Sequence, residues 1–214
     1  NALAGDATQD GTVAIGQKAL NALTTGAGNI AIGYQALLEH TEGSRNIAIG
    51  YEAMFNTYDG NADDTRESSD NIAIGYRSMG GAWTDSDEDN DDMNEQNVAV
   101  GNYTLDGAMA DANFNTAVGY NCLTALTTGT QNTAIGWTSG ANITTGNYNL
   151  YLGYATASAV DVASEIVLAA TNTTLTGAGT ETITIGLNSD YIVNTFGTGS
   201  YVWAHTSDIR VKKD

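Results

Sequence analysis

Several residue types are scarce in this chain of 214 residues, and these scarcities exclude several classes of protein. Proline is absent, and a single cysteine, Cys122, excludes a disulfide within the chain. Only 7 basic residues stand against 25 acidic ones, and the net charge of −18 argues against binding to nucleic acid or to an anionic membrane surface. Because no run of about 18 apolar residues occurs, we predict no membrane insertion.

Glycine is abundant, and many of the 25 glycines mark an internal repeat. The repeat is clearest in Asn46-Ile47-Ala48-Ile49-Gly50-Tyr51. The glycine of each copy, here called the landmark glycine, returns mostly after 17 residues, with two neighbouring steps enlarged to 25 and 26. The landmark glycines are Gly16, Gly33, Gly50, Gly75, Gly101, Gly119, Gly136 and Gly153, with a degenerate copy at Gly186. A fixed period of about this length is typical of a solenoid.

Each position around the landmark glycine repeats the same chemistry. Apolar residues, mostly Ile and Val, stand three and one residues before it, with Ala between them. This alternation of β-branched residues indicates a short strand. We expect the Ile and Val side chains to form the buried face and the Ala face to meet a close neighbour. Four residues before the landmark stands an Asn column: Asn29, Asn46, Asn71, Asn97, Asn115, Asn132 and Asn149.

A unit of 17 residues cannot bury its own apolar side chains, whereas stacked units can. We therefore predict an all-β fold, a parallel β-solenoid or β-roll of about eight coils over residues 1–154. A shorter β-rich transition region should follow over residues 155–206, and residues 207–214 depart from the repeat. We expect the Asn side chains to hydrogen-bond from coil to coil. We expect Cys122 to be a small packed side chain, because the equivalent positions of other coils hold Ala and Ser.

An aromatic residue follows most landmark glycines, as in Tyr34, Tyr51 and Trp137. Two interpretations are open for this column. The rings could stack on one another along the rod, or they could offer a platform on which sugar rings stack. The presence of the aromatic residue in nearly every coil favours mutual packing.

The two enlarged units carry acidic insertions at about residues 56–70 and 82–96, which together hold twelve acidic residues and one Arg. Carboxylate and amide oxygens recur there at alternating positions, as in calcium-binding loops. The candidate Ca²⁺ ligands are Asp59, Asn61, Asp63, Glu67 and Asp70 in the first insertion, and Asp85, Asp87, Asp89 and Asp91 in the second. The same loops, Asp59–Asp70 and Asp85–Glu95, are alternatively receptor contacts on a rigid scaffold, or solvated acidic loops that oppose lateral aggregation. No other cofactor is indicated.

The N-x-A-[IV]-G-[Y/W] cassette over residues 12–154 resembles the head repeat of trimeric autotransporter adhesins, a parallel β-roll. With the Thr-Thr-Gly turns it is also similar to repeats in phage tail-fibre proteins. Ser207-Asp208-Ile209-Arg210-Val211-Lys212 resembles the opening S-D-x-R-x-K of the endosialidase-type intramolecular chaperone that ends many such fibres. In that family the chaperone trimerises the fibre and then cleaves itself off.

The resemblance implies a homotrimeric rod in the tail fibre of a virion, outside the cell, that helps a phage attach to a host glycan or protein. It also implies that the chaperone acts as a partner during assembly. Catalysis on a substrate is not expected. Self-cleavage between Thr206 and Ser207, with Lys212 as the base for the Ser207 hydroxyl, would require the complete chaperone domain.

Two alternatives differ in class. A bacterial trimeric surface adhesin would continue into a coiled-coil stalk, and no heptads appear here. A polysaccharide-degrading tailspike would need a pair of carboxylates in a groove, whereas the acidic residues cluster in the two insertions.

Overall fold

A computed structural model describes residues 10–57, 68–83, 94–159, 161–187, 190–196 and 203–205. Those residues contain strands and turns but no helix, and the chain winds as a parallel β-solenoid. Ten strands stack in parallel, one from each successive coil: β1 Val13–Ile15, β2 Ile30–Ile32, β3 Ile47–Ile49, β4 Ile72–Ile74, β5 Val98–Val100, β6 Thr116–Tyr120, β7 Thr133–Trp137, β8 Leu150–Gly153, β10 Ile166–Ala170 and β12 Thr182–Leu187. The predicted fold class is therefore confirmed.

The remaining strands lie near the end of the stack. Strands β9 Thr156–Ala157 and β11 Leu175–Thr176 form a separate two-stranded parallel sheet. Strand β13 Asp190–Thr195 turns back antiparallel to β12, and β14 Trp203–His205 pairs antiparallel with β13. Parallel stacking thus continues past residue 154 as far as β12 and then ends in an antiparallel hairpin.

The stacked strands are in strict register, so that each position of the repeat forms a column along the rod. Ile47 pairs with Ile30 on one side and with Ile72 on the other. The landmark glycine allows the backbones of adjacent coils to approach closely just after the strand. A Cβ on Gly50, whose φ is +142°, would lie 2.2 Å from the carbonyl oxygen of Gly75. Only glycine avoids that clash, which explains why the landmark recurs in coil after coil.

The burial of the two strand faces is the reverse of our prediction. The central Ala of β2 to β7 is completely buried, whereas the Ile and Val side chains on either side of it are half-buried or exposed. The prediction that the Ile and Val side chains form the buried face is therefore wrong. In these coils the space next to the inner Ala is taken by large side chains from the opposite wall, so a small residue fits there.

The interior is filled from the opposite side of each coil. Four residues after the landmark glycine, large apolar side chains point inward and are fully buried: Leu20, Leu37, Met54, Met79, Leu105 and Leu123. The inner Ala side chains belong to the same continuous core. Cys122 lies in this core as a buried thiol whose Sγ is 2.9 Å from the carbonyl oxygen of Gly136. Burial raises the pKa of that thiol.

The Asn column forms a buried ladder of hydrogen bonds along the rod. The backbone N–H of Asn132 donates to Oδ1 of Asn115 at 3.0 Å, and Nδ2 of Asn115 donates to the carbonyl oxygen of Gly129 at 2.9 Å. The same pattern runs from Asn29 to Asn149. It ends at Glu165, whose backbone N–H donates to Oδ1 of Asn149. The ladder satisfies turn groups that would otherwise be buried without partners.

Candidate interaction surface

The outward side chains of the parallel sheet form one continuous surface, here called the outer face. Because side chains alternate along a strand, the residues three before, one before and one after the landmark glycine all point to this side. In β6 these are Thr116, Val118 and Tyr120, while Ala117 between them points inward. The outer face therefore carries two columns dominated by Ile, Val and Leu and one column of aromatic residues.

The outer face is as large as the largest apolar patches of soluble monomers. Ten strands at ~4.8 Å spacing extend over about 43 Å, and the four residue steps between its outermost columns span about 13 Å. The product is about 560 Å², at the upper end of the about 300–600 Å² found for the largest apolar patch of a soluble monomer. Besides the aromatic residues, its most exposed apolar members include Ile15, Leu152 and Leu187. An exposed surface of this size and composition is characteristic of a binding surface.

The aromatic column is a continuous ladder of rings. Tyr34 and Tyr51 stack with ring centroids 4.9 Å apart, and Trp137 and Tyr154 stack at 4.8 Å and 8°. The complete ladder consists of Tyr34, Tyr51, Tyr76, Tyr103, Tyr120, Trp137 and Tyr154. In the stacked segments the ring faces between neighbours are covered, so the rings there present their edges outward. This arrangement favours mutual packing over a sugar platform, because a sugar ring needs an open aromatic face.

Tyr103 interrupts the stacking. It lies two residues after its landmark glycine, where the other aromatic residues lie one residue after it, and its ring is turned by 73° and 80° from the rings of Tyr76 and Tyr120. The vacated position holds Asn102, whose Oδ1 accepts a hydrogen bond from the backbone N–H of Tyr76 at 2.9 Å. The shift therefore keeps the ladder continuous while it changes its geometry in the coil after the second insertion.

The opposite edge of the outer face is a corner column, five residues before each landmark glycine. Its members all have positive φ: Gly11, Gly28, Arg45, Asp70, Gln96, Phe114, Gln131, Tyr148 and Glu181, with Ser164 at the equivalent position before Ala169. A groove of about 390 Å³ is lined by Ser164 and Glu181 of this column together with Ile166 and Ile183 of the outer face. The corner column therefore borders the outer face directly.

Most of the predicted acidic-site residues lie outside the described residues, namely Asp59, Asn61, Asp63, Glu67, Asp85, Asp87, Asp89 and Asp91. Asp70, the last ligand proposed for the first insertion, lies at the corner column. Both of its carboxylate oxygens accept hydrogen bonds from Arg45, at 2.6 and 2.7 Å. The hydrogen bond from Arg45 lowers the pKa of Asp70, so the carboxylate stays charged but is already paired.

Ser207 and Lys212 lie outside the described residues, as does the predicted scissile bond. Within the described ranges, no group of three or more His, Cys, Asp or Glu side chains is close enough to hold a metal ion. The same ranges contain no helix long and apolar enough to cross a membrane.

One buried ionisable group lies beside the first insertion. His40 occupies the corner of the core that Leu23 and Leu126 fill in other coils, and it is buried. Its Nδ1 is 3.1 Å from Oγ1 of Thr57, and its Nε2 is 3.3 Å from Nδ2 of Asn46. Burial lowers the pKa of His40 from 6.5 to about 4, so the imidazole is neutral near pH 7.

A second buried ionisable group, Glu165, closes the Asn ladder. Its carboxylate accepts hydrogen bonds from the hydroxyl of Tyr151 at 3.0 Å and from the backbone N–H of Gly179 at 2.8 Å. Burial raises the pKa of Glu165 and of Tyr151. We did not anticipate this pair. The signal was present in the repeat, because Tyr151 replaces the inner Ala and Glu165 replaces the Asn of the next coil.

No family model, no curated protein and no solved structure matches this chain.

Proposed function

We propose that this chain is a segment of a trimeric phage tail fibre that forms or presents the contact with the host cell. The observation that carries the proposal is the exposed apolar outer face. Together with the adjoining corner column, the face spans about 850 Å² per copy, comparable with the ~800 Å² per partner of a typical stable protein interface. Packing three such faces around a common axis would remove them from water and leave a rigid, acidic rod.

The location of the two insertions supports an attachment role for them. Their coils are consecutive, and both insertions leave the repeat at the same phase, between the large buried residue of one coil and the Asn of the next. Loops held side by side on a rigid scaffold are a common location for binding residues. We therefore propose that the insertions contact a host glycan or protein, and that Ca²⁺ reduces the repulsion between their carboxylates.

The C-terminal S-D-x-R-x-K motif supports assembly of the fibre with a following chaperone domain. In this proposal Ser207 and Lys212 act only during maturation of the fibre. The mature segment then has no catalytic role on a substrate.

Deleting residues 59–66 tests the attachment role, because it restores the 17-residue step between Gly50 and Gly75. We expect the variant to remain a trimer by native mass spectrometry but to lose adsorption to a bacterial strain that the wild-type protein binds. A matched control keeps the loop length and replaces its acidic residues by Asn and Gln. Equal adsorption by wild type and deletion variant would contradict the role of the first insertion.

The Ca²⁺ proposal has its own readout. Thermal unfolding is recorded with millimolar CaCl₂ and with a chelator, for the wild type and for the neutralised loop. We expect Ca²⁺ to raise the midpoint of the wild type only. An equal effect of Ca²⁺ on both proteins would remove the ion from the proposal.

A further inference from the structure

Two large aromatic side chains are unusually exposed. Phe114 is 50% exposed and Tyr148 is 61% exposed, and both lie in the corner column. Both also have φ of +61°, a region that bulky residues rarely adopt. Other positions of the corner column hold polar residues such as Gln96 and Gln131. An aromatic residue that is strained and exposed at once is explained by a contact outside the chain.

The opposite edge of the outer face carries a suitable complement in the same coils. Phe114 lies in the coil of Tyr120, and Tyr148 lies in the coil of Tyr154. Tyr120, Trp137 and Tyr154 each remain more than 40% exposed, with their ring edges outward. Ring edges pack well against ring faces, so the two edges of the outer face are chemically complementary in this part of the rod.

Symmetry decides which edges meet. A rotation axis parallel to the rod leaves every coil at its own height. When outer faces pack around such an axis, the corner column of one copy comes opposite the aromatic ladder of the next. Phe114 of one copy then lies at the same height along the rod as Tyr120 of the next copy. Tyr148 likewise lies at the height of Tyr154. In an antiparallel pair, by contrast, each column faces its own counterpart.

We propose that Phe114 and Tyr148 of one copy pack on the edge of the aromatic ladder of a neighbouring copy, at Tyr120 and Tyr154. The copies then run parallel, and the seam between them is aromatic on both sides in the coils of β6 and β8. This inference rests on the proposed association of the chain with itself, and it specifies the residues and the polarity of that association.

Crosslinking tests the polarity. The protein carries Phe114→Cys and Tyr120→Cys in a Cys122→Ser background, since Ser78 and Ser139 fill the same buried column in other coils. Within one chain the two positions lie about 20 Å apart across the outer face, too far for a short bismaleimide. We expect crosslinks between positions 114 and 120 of different copies by peptide mapping. Crosslinks that join position 114 only to itself would indicate an antiparallel pair and overturn the proposal.

The Phe114→Gly variant separates a contact from a purely structural role. Glycine suits a φ of +61°, so without a partner this variant should fold at least as well and associate unchanged. The proposal instead expects association to weaken by about tenfold or more, measured by sedimentation over a dilution series. If the Phe114→Gly variant associates as strongly as the wild type, the proposed contact is wrong. A wild type that is already a monomer in the same experiment would overturn the proposed trimer as well, so the two failures are distinguishable.

Discussion

On these strands the smaller apolar side chains lie on the inner face and the larger ones on the outer face, the reverse of an ordinary half-buried sheet. The inner face presents Ala to a narrow core that is filled by Leu and Met from across the coil. The outer face presents Ile, Val and aromatic residues to the surroundings. The contrast teaches that the inner side chains are limited by the space inside the coil, whereas the outer ones suit the surface that, in our proposal, another copy of the chain covers.

The largest expected effect comes from enlarging an inner side chain. Ala117→Leu forces three extra carbons into a position with no accessible surface, between Ala99 and Ala134 of the adjacent coils. We expect the free energy of unfolding to fall by about 3 kcal/mol or more, measured by denaturant unfolding. The matched outer variant Val118→Leu should change it by less than about 1 kcal/mol. Equal effects at the two positions would contradict the assignment of the faces.

A buried histidine makes the inner core sensitive to acid. The folded pKa of His40, about 4, lies below its ordinary value of 6.5, so the unfolded chain takes up the proton first as the pH falls. The free energy of unfolding should therefore decrease between pH 6.5 and about 4, by about 3 kcal/mol in total. His40→Leu, which copies Leu23, should remove this part of the pH dependence. A wild type and a variant with parallel stability curves would show that His40 is not held neutral.

The Asn ladder allows a comparison between neighbouring inner and outer residues. Asn115→Leu leaves the backbone N–H of Asn132 and the carbonyl oxygen of Gly129 without their partners. We expect a loss of about 2 kcal/mol in the free energy of unfolding. Thr116→Val, one residue away on the outer face, should have little effect. Hydrogen exchange at Asn132 gives a second measurement, because its amide should lose protection only in the Asn115 variant.

The smallest expected effect is at Thr138, directly after strand β7. Thr138 has φ of +50°, which is unfavourable for a β-branched residue, and Asn121 takes the equivalent position one coil earlier. Thr138→Asn should stabilise the fold by about 0.5–1 kcal/mol, measured as a rise in the unfolding midpoint. Thr133→Asn lies within strand β7 and should not stabilise it. A stabilising effect at both positions would point to composition rather than backbone strain.

The sequence was sufficient to predict the repeat, the strands and their stacking. The landmark glycines marked each coil because the close approach at Gly50 excludes every other residue. Alternation in Ile47-Ala48-Ile49 showed that the strand has two different faces. It could not show which face is inside, because hydrophobicity favours Ile there, whereas the space left by the opposite wall of these coils suits Ala. That space depends on the opposite wall, which a local pattern does not describe.

The candidate surface was less predictable for a related reason. The corner column is chemically mixed, so neither Phe114 nor Tyr148 stood out until exposure and φ were known. The buried pair of Tyr151 and Glu165 follows from two substitutions in separate columns, and the Glu165 carboxylate is also bound by the backbone of Gly179, between β11 and β12. Contacts of this kind are decided by tertiary structure rather than by the repeat.

The native mass of the protein tests the central claim most directly, since it shows whether another copy covers the outer face. The wild-type protein should have three times the chain mass of 22.2 kDa. Ile49→Lys, which places a charge on the outer face, should shift the species to the mass of one chain while the circular dichroism spectrum stays that of a β-solenoid. A wild-type protein that is a stable monomer would contradict the account.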